Sequence, residues 1–220
     1  MNKYPLLILI VLLLLWVSIE TIKTKVSYFK NKGDTKNINK TFNNSYLINR
    51  DRKDMKKSDQ LLSELNSFSL SLVESFVKTY KNKKLINSSD IKGYKVMSVL
   101  KKNYRPSSLT ENHPINVNKT SFISNKGEDI KICLREKITG KHRFHDIEVL
   151  KFVLLHELAH MITPELEHTV DFWTNFKYLL EYCERYNLYK PINFKLKNTH
   201  YCGMTLNYNP YYDTKLKSYF

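Results

Sequence analysis

Apolar residues recur at three- and four-residue steps through residues 61–80, with polar residues between them. This spacing matches the 3.6-residue turn of an α-helix, so the segment is predicted to form an amphipathic helix that buries one face. Ser58 or Asp59 is placed to cap the first turn of this helix. Residues 94–100 alternate weakly between apolar and polar positions, and we expect a strand there.

The middle of the chain carries a hairpin signal. Two short segments, residues 120–124 and 129–135, flank the turn sequence Asn125-Lys126-Gly127. Apolar residues alternate along the second segment, as expected for a strand with one buried face.

Two further helices are predicted downstream. Asp146 is placed to cap a helix that is apolar on nearly every side and that Pro164 prevents from continuing. A helix of this kind belongs in the middle of a domain. A last helix is expected over residues 169–187. The order is a helix, a small antiparallel or mixed sheet, a central helix and a C-terminal helix, which predicts an α+β fold.

The amino end has a different character. Residues 4–19 form an apolar run without a charge, which as a helix spans roughly 24 Å, slightly less than a hydrocarbon core of about 30 Å. We expect residues 1–22 to form a single-pass membrane anchor, 23–58 a basic flexible stalk and 59–220 the globular domain. A cleaved signal peptide is the alternative, although no small-residue cleavage pattern follows the apolar run. The lysines after this run weakly favour a cytoplasmic domain.

Charge and cysteine content narrow the possibilities further. Lys and Arg number 36 and Asp and Glu 21, so the net charge of +15 favours contact with anionic surfaces. The basic residues are spread along the chain and are not grouped with aromatic residues, so a nucleic-acid partner is possible but not favoured. Three cysteines without a CxxC spacing are expected to be reduced and buried.

One motif suggests chemistry. The predicted central helix contains His156-Glu157-Leu158-Ala159-His160. Two histidines four residues apart lie one turn apart on one helix face, so both imidazoles can reach the same ion. Zn²⁺ binds neutral imidazoles and, with three protein ligands, keeps a position for water. Glu157 points about 100° away from His156 and can act as the base for that water. The competing interpretation, a core helix with incidental histidines, leaves buried polar groups that need partners.

A third ligand is expected after the Pro164 turn. His168 follows His160 by eight residues, which leaves enough chain to fold back toward the metal. Glutamates beyond the motif are the alternatives, and these are Glu165, Glu167, Glu181 and Glu184.

These features resemble the WLM/SprT-like group of zincin metallopeptidases, and most closely its predicted members from large DNA viruses. The resemblance rests on the motif at residues 156–160 and on His168 followed by Phe172, and it extends to residues 130–135 and 201–203. It implies a minimal zincin in which His156, His160 and His168 bind Zn²⁺ and Glu157 is the catalytic base. The better-studied members cut proteins crosslinked to DNA. This chain differs from them in its apolar amino end and in having no recognisable DNA- or ubiquitin-binding appendage.

The function expected from the sequence is therefore that of a membrane-anchored zinc metallopeptidase acting on a protein or peptide. One alternative is a DNA-associated protease that cuts DNA-bound proteins. Another is a non-catalytic virion or structural protein on a zincin scaffold, against which the intact Glu157 argues. Residues 129–135 are expected to hold the substrate by strand addition. The oxyanion donor stays open among four residues, which are Tyr201, Tyr208, Tyr211 and His200.

Overall fold

Two long helices open the part of the chain that the structure, a computed structural model, describes, namely residues 55–112, 120–136 and 143–220. Helix α1 (Met55–Tyr80) buries the predicted apolar face and begins earlier than expected, so the last residues of the predicted stalk are helical. Helix α2 (Ser88–Asn103) follows after a short connection.

Helix α2 corrects the strand expected at residues 94–100. The side chain of Asn87 accepts a hydrogen bond from the backbone N–H of Asp90 and so caps the first turn of α2. The buried residues of α2 also follow a helical period. Gly93 allows α2 to approach α1 closely, because a Cβ atom at this position would overlap the ring of Tyr80.

A three-stranded sheet follows, built from β1 (Leu109–Glu111), β2 (Phe122–Ser124) and β3 (Asp129–Ile132). The strand order is β1-β3-β2, with β1 parallel to β3 and β2 antiparallel to it. The predicted hairpin is therefore present, and its turn residues Asn125, Lys126 and Gly127 all have positive φ. Strand β1 was not predicted. It has only three residues, too few to show a period, and its partner β3 lies about twenty positions later in the chain.

The two remaining helices are α3 (Ile147–Ile162) and α4 (Val170–Arg185). Asp146 caps α3 as predicted, by accepting a hydrogen bond from the backbone N–H of Glu148. Thr169 caps α4 in the same way. Helix α3 contacts the other three helices and strands β2 and β3, so the apolar helix lies at the centre of the domain.

A short hairpin after α4, made of β4 (Thr199–Tyr201) and β5 (Met204–Leu206), was not predicted. Its turn carries Cys202, which forms a disulfide with Cys133 at a Cα–Cα distance of 6.2 Å. The expectation that all three cysteines are reduced is therefore wrong, and only Cys183 is free and buried. The two bonded cysteines are 69 positions apart, and the fold alone brings them together.

The predicted α+β class is confirmed, and the helices and small sheets are compatible with a zincin-like domain. Within the described ranges, no helix combines the length and apolar character needed to cross a bilayer. The anchor predicted at residues 1–22 and the stalk up to residue 54 lie outside these ranges and stay predictions.

Candidate metal centre

Three imidazole rings converge at one end of α3. Nε2 of His168 lies 3.0 Å from Nε2 of His160 and 3.1 Å from Nε2 of His156. His156 and His160 stand one turn apart on α3, as the motif spacing predicted. His168 precedes the Thr169 cap of α4, and the chain between the two helices folds back so that its ring completes the group.

The arrangement fits a tetrahedral zinc ion. With Zn–N bonds of about 2.0–2.1 Å, tetrahedral coordination separates the ligating nitrogens by about 3.3–3.4 Å. The two distances from His168 are close to this value, and the ligand atoms of all three histidines lie within 4.8 Å of one another. Within the described ranges, this triad is the one group of at least three His, Cys, Asp or Glu side chains positioned to share an ion.

The protein environment keeps these imidazoles neutral, which metal ligation requires. Burial, assisted by the neighbouring rings of His160 and His168, lowers the pKa of His156 to about 3. Burial lowers the pKa of His160 to about 4, assisted by His168 and by the ammonium of Lys126. Desolvation also lowers the pKa of His168.

Glu157 lines the same cleft as the three histidines, although only 4% of its surface is exposed. Desolvation raises the pKa of its carboxyl group to about 8. A divalent cation in the adjacent site would favour the ionised form and lower this pKa. The group can therefore accept and return a proton near neutral pH.

The glutamates considered as alternative ligands lie apart from the triad. Glu181 accepts a hydrogen bond from the backbone N–H of Tyr219, and Glu184 accepts one from the hydroxyl of Tyr211. Glu165 and Glu167 are exposed on the loop before His168 and do not join the ligand group.

Two of the four oxyanion candidates line the cleft, Tyr201 and Tyr208. The hydroxyl of Tyr201 lies 2.5 Å from Oγ of Ser121, and its buried ring packs against His145 at 4.7 Å between centroids. Tyr208 donates a hydrogen bond to Asp213. Tyr211 and His200 are not among the residues that line the cleft.

Strand β3 cannot hold a substrate by strand addition, because β1 and β2 occupy both of its edges. That prediction is wrong in its choice of strand. The outer strand of the sheet on the side of the cleft is β2, and Phe122 and Ile123 line the cavity. The prediction chose β3 because it is the predicted strand that precedes the helix with the histidine motif, whereas the order of strands in a sheet is not encoded locally.

Lys126, at the tip of the β2–β3 turn, has a role that the sequence did not indicate. Its ammonium donates hydrogen bonds to the backbone carbonyls of His160, Thr163 and Glu165. These are carbonyls at the end of α3 and in the loop leading to His168. A left-handed φ of 54° at a non-glycine residue is unusual, and here it belongs to the residue that joins the sheet to the metal centre.

The cleft has a volume of about 720 Å³ and two dissimilar walls. We call α3, α4 and the loop between them, residues 147–185, the helical wall. We call β2, β4, β5 and the residues flanking them, 120–124 and 199–208, the strand wall. The disulfide joins the strand wall to the end of β3 through Cys202 and Cys133.

Comparison with known proteins points to one group of relatives. An uncharacterized protein of Acanthamoeba polyphaga mimivirus is 40% identical over 88 residues, which cover 40% of this chain and 44% of that protein. An uncharacterized protein of Invertebrate iridescent virus 6 is 39% identical over 82 residues, which cover 37% of this chain and 44% of that protein. The chain thus matches less than half the length of these two relatives.

No solved structure matches the chain significantly. The WLM domain model matches residues 78–216, a range that contains α2, the sheet, the three histidines, Glu157 and the disulfide. The chain therefore belongs to the WLM domain family.

Proposed function

We propose that this protein is a zinc-dependent peptidase that hydrolyses peptide bonds in a protein or peptide substrate. The observation that carries the proposal is the convergence of three neutral imidazole nitrogens beside one buried carboxyl group in an open cleft. His156, His160 and His168 would hold the ion. When bound, zinc supplies Lewis acidity, which polarises a carbonyl group and lowers the pKa of a water molecule.

Glu157 is the proposed catalytic base. Its carboxylate accepts a proton from the water molecule that attacks the substrate carbonyl carbon, and it returns that proton to the departing amine nitrogen. Burial raises the pKa of Glu157 to about 8, and a bound cation would lower it toward neutrality, where the same group can first bind and then release the proton.

Strand β2 is the proposed guide for the substrate backbone. As the outer strand on the side of the cleft, it lies where an extended peptide could run past the histidines and add to the sheet. The cavity of about 720 Å³ can accommodate several peptide atoms beside the metal centre.

We also propose that the domain acts in an oxidising setting. A disulfide between Cys133 and Cys202 is stable on cell surfaces, in secretory compartments and in virions, and is rare in a reducing cytosol. This setting argues against the cytoplasmic orientation that the lysine distribution weakly favours.

The proposed function is tested by replacing the base alone. Glu157→Gln removes the proton acceptor but leaves the three imidazoles, so the variant should retain about one zinc per chain. Its rate of casein or peptide cleavage should fall by about 10²–10⁴-fold, the usual contribution of a general base. Zinc content is measured by elemental analysis and cleavage by mass spectrometry.

Glu165→Gln is the matched control, because it makes the same substitution at an exposed glutamate of the nearby loop. It should retain both zinc and activity. Unchanged cleavage by Glu157→Gln would refute the role of this residue as base, and wild-type protein that binds zinc without cleaving any peptide would refute the peptidase activity.

A further inference from the structure

Aromatic rings continue the helical wall away from the metal centre. Phe176 lies 5.4 Å from the ring of His156, and Trp173 lies 5.4 Å from the ring of His168. Phe152 packs against Phe176 at 5.0 Å, and Tyr208 of the strand wall meets Trp173 edge-on at 5.2 Å. The ligands of the proposed ion are therefore flanked by one continuous aromatic surface.

The opposite side of the cleft is also largely apolar. Met204 and Leu206 of β5 line it together with Phe122 and Ile123 of β2. Leu166 on the loop before His168 lines the same cleft and is 84% exposed, and Met204 is 48% exposed. Large apolar side chains left in solvent around a cavity are typical of a binding site.

Charges that could pair with a charged substrate side chain are scarce. Among the described residues that line the cleft, Lys126 and Glu157 are the only Lys, Arg, Asp or Glu side chains. The ammonium of Lys126 is bound to three backbone carbonyls, and Glu157 is the proposed base. A charged substrate side chain in this cleft would lose its hydration without gaining a partner.

We propose that this cleft contains an apolar subsite, next to the scissile bond, that selects a large apolar substrate residue such as Phe, Tyr, Leu or Met. This inference rests on the proposed function, because the subsite is defined by its position beside the metal centre. Burying such a side chain should favour cleavage by roughly 10- to 100-fold in kcat/KM over the same peptide with Asp at that position.

The preference is first mapped on the zinc-loaded chain of 220 residues. Unfolded casein is digested, and the residues on both sides of each cut are identified by mass spectrometry. Large apolar residues should be enriched at one position beside the cut. Two peptides that differ only by Phe or Asp at the enriched position then give the ratio of kcat/KM values.

Leu206→Lys tests whether the strand wall determines this ratio. A lysine at this position would place a positive charge opposite the aromatic surface. The ratio of kcat/KM for the Phe peptide to kcat/KM for the Asp peptide should therefore fall at least tenfold. Zinc content should stay unchanged. Leu196→Lys is the matched control, because Leu196 is 85% exposed and does not line the cleft. Its ratio should equal that of the wild type.

A binding measurement tests the apolar subsite independently of peptide hydrolysis. Zinc-loaded Glu157→Gln protein is titrated with the two peptides by calorimetry, and the Phe peptide should bind at least tenfold more tightly. If the wild type cuts nothing, two peptides with Phe or Asp at their central position take the place of this pair. Tighter binding of the Phe peptide would then mean that the peptidase proposal fails and an apolar binding site in the cleft stands. Equal binding of the two peptides, or cleavage without apolar enrichment, would overturn the subsite.

Discussion

The two walls of the cleft are held in place by different forces. The helical wall rests on packing, since Leu150, Leu154, Leu155 and Leu158 of α3 are fully buried. The strand wall consists of three-residue strands. It is held by the disulfide and by single hydrogen bonds, such as those from the N–H of Cys202 to His145 and from the N–H of Gly203 to Glu136.

This difference in how the walls are held suits their proposed roles, which are metal binding for the helical wall and substrate binding for the strand wall. Metal ligands need to be fixed within a fraction of an ångström, and a buried helix provides that precision. A substrate-binding wall can tolerate adjustment, and short strands with few buried apolar residues are expected to adjust more easily. Damage to one wall should therefore separate metal binding from substrate cleavage.

The largest expected effect comes from removing a proposed zinc ligand from the helical wall. His168→Ala deletes one of three converging imidazoles, so affinity for zinc should fall by more than about 100-fold. Affinity is measured by competition with a chelator of known strength. The stability of the zinc-free protein should change little, because His168 is exposed. His200→Ala, at an exposed histidine outside the cleft, should bind zinc like the wild type.

The strand wall should show the opposite behaviour when its covalent link is removed. The double variant Cys133→Ser/Cys202→Ser releases β4–β5 from the end of β3, and unfolding free energy should fall by about 2–4 kcal/mol. Cleavage should fall with it, but zinc affinity should stay within about twofold, because the ligands lie on the other wall. Urea unfolding and chelator competition measure the two effects.

A reducing agent provides the control for this double variant. It should lower the stability of the wild type toward that of the double variant and leave the variant itself unchanged, since Cys183 is not in a disulfide. A large loss of zinc in the double variant would show that the two walls are not independent.

The smallest expected effect lies at Lys126, which joins the walls. Lys126→Asn keeps a residue that tolerates left-handed φ but removes the ammonium that binds three carbonyls at the end of α3. Zinc affinity should weaken by about tenfold, as when a partner of a ligand is lost. Lys102→Asn, at an exposed lysine of α2, is the control and should have no effect on chelator competition. Wild-type affinity in Lys126→Asn would mean that the turn does not position the ligands.

Local patterns predicted three of the four helices that the structure describes. The apolar periodicity of α1, α3 and α4 arises between residues a few positions apart, and so does the cap at Asp146. Both can therefore be recognised in the sequence. The same holds for the pairing of His156 with His160, because one helical turn determines it. The strand prediction at residues 94–100 followed a weak alternation within that window, and the cap at Asn87 that starts the helix lies outside it.

What the amino-acid sequence determined by itself is the α+β class, the central apolar helix and a motif able to hold a metal ion. Tertiary structure alone decided that β3 is an inner strand, that Cys133 meets Cys202 and that Lys126 reaches the end of α3. The physical reason is distance along the chain. Helical periods and caps arise between residues a few positions apart, whereas strand order, disulfide pairing and the walls of a cleft join residues that only the folded chain brings together.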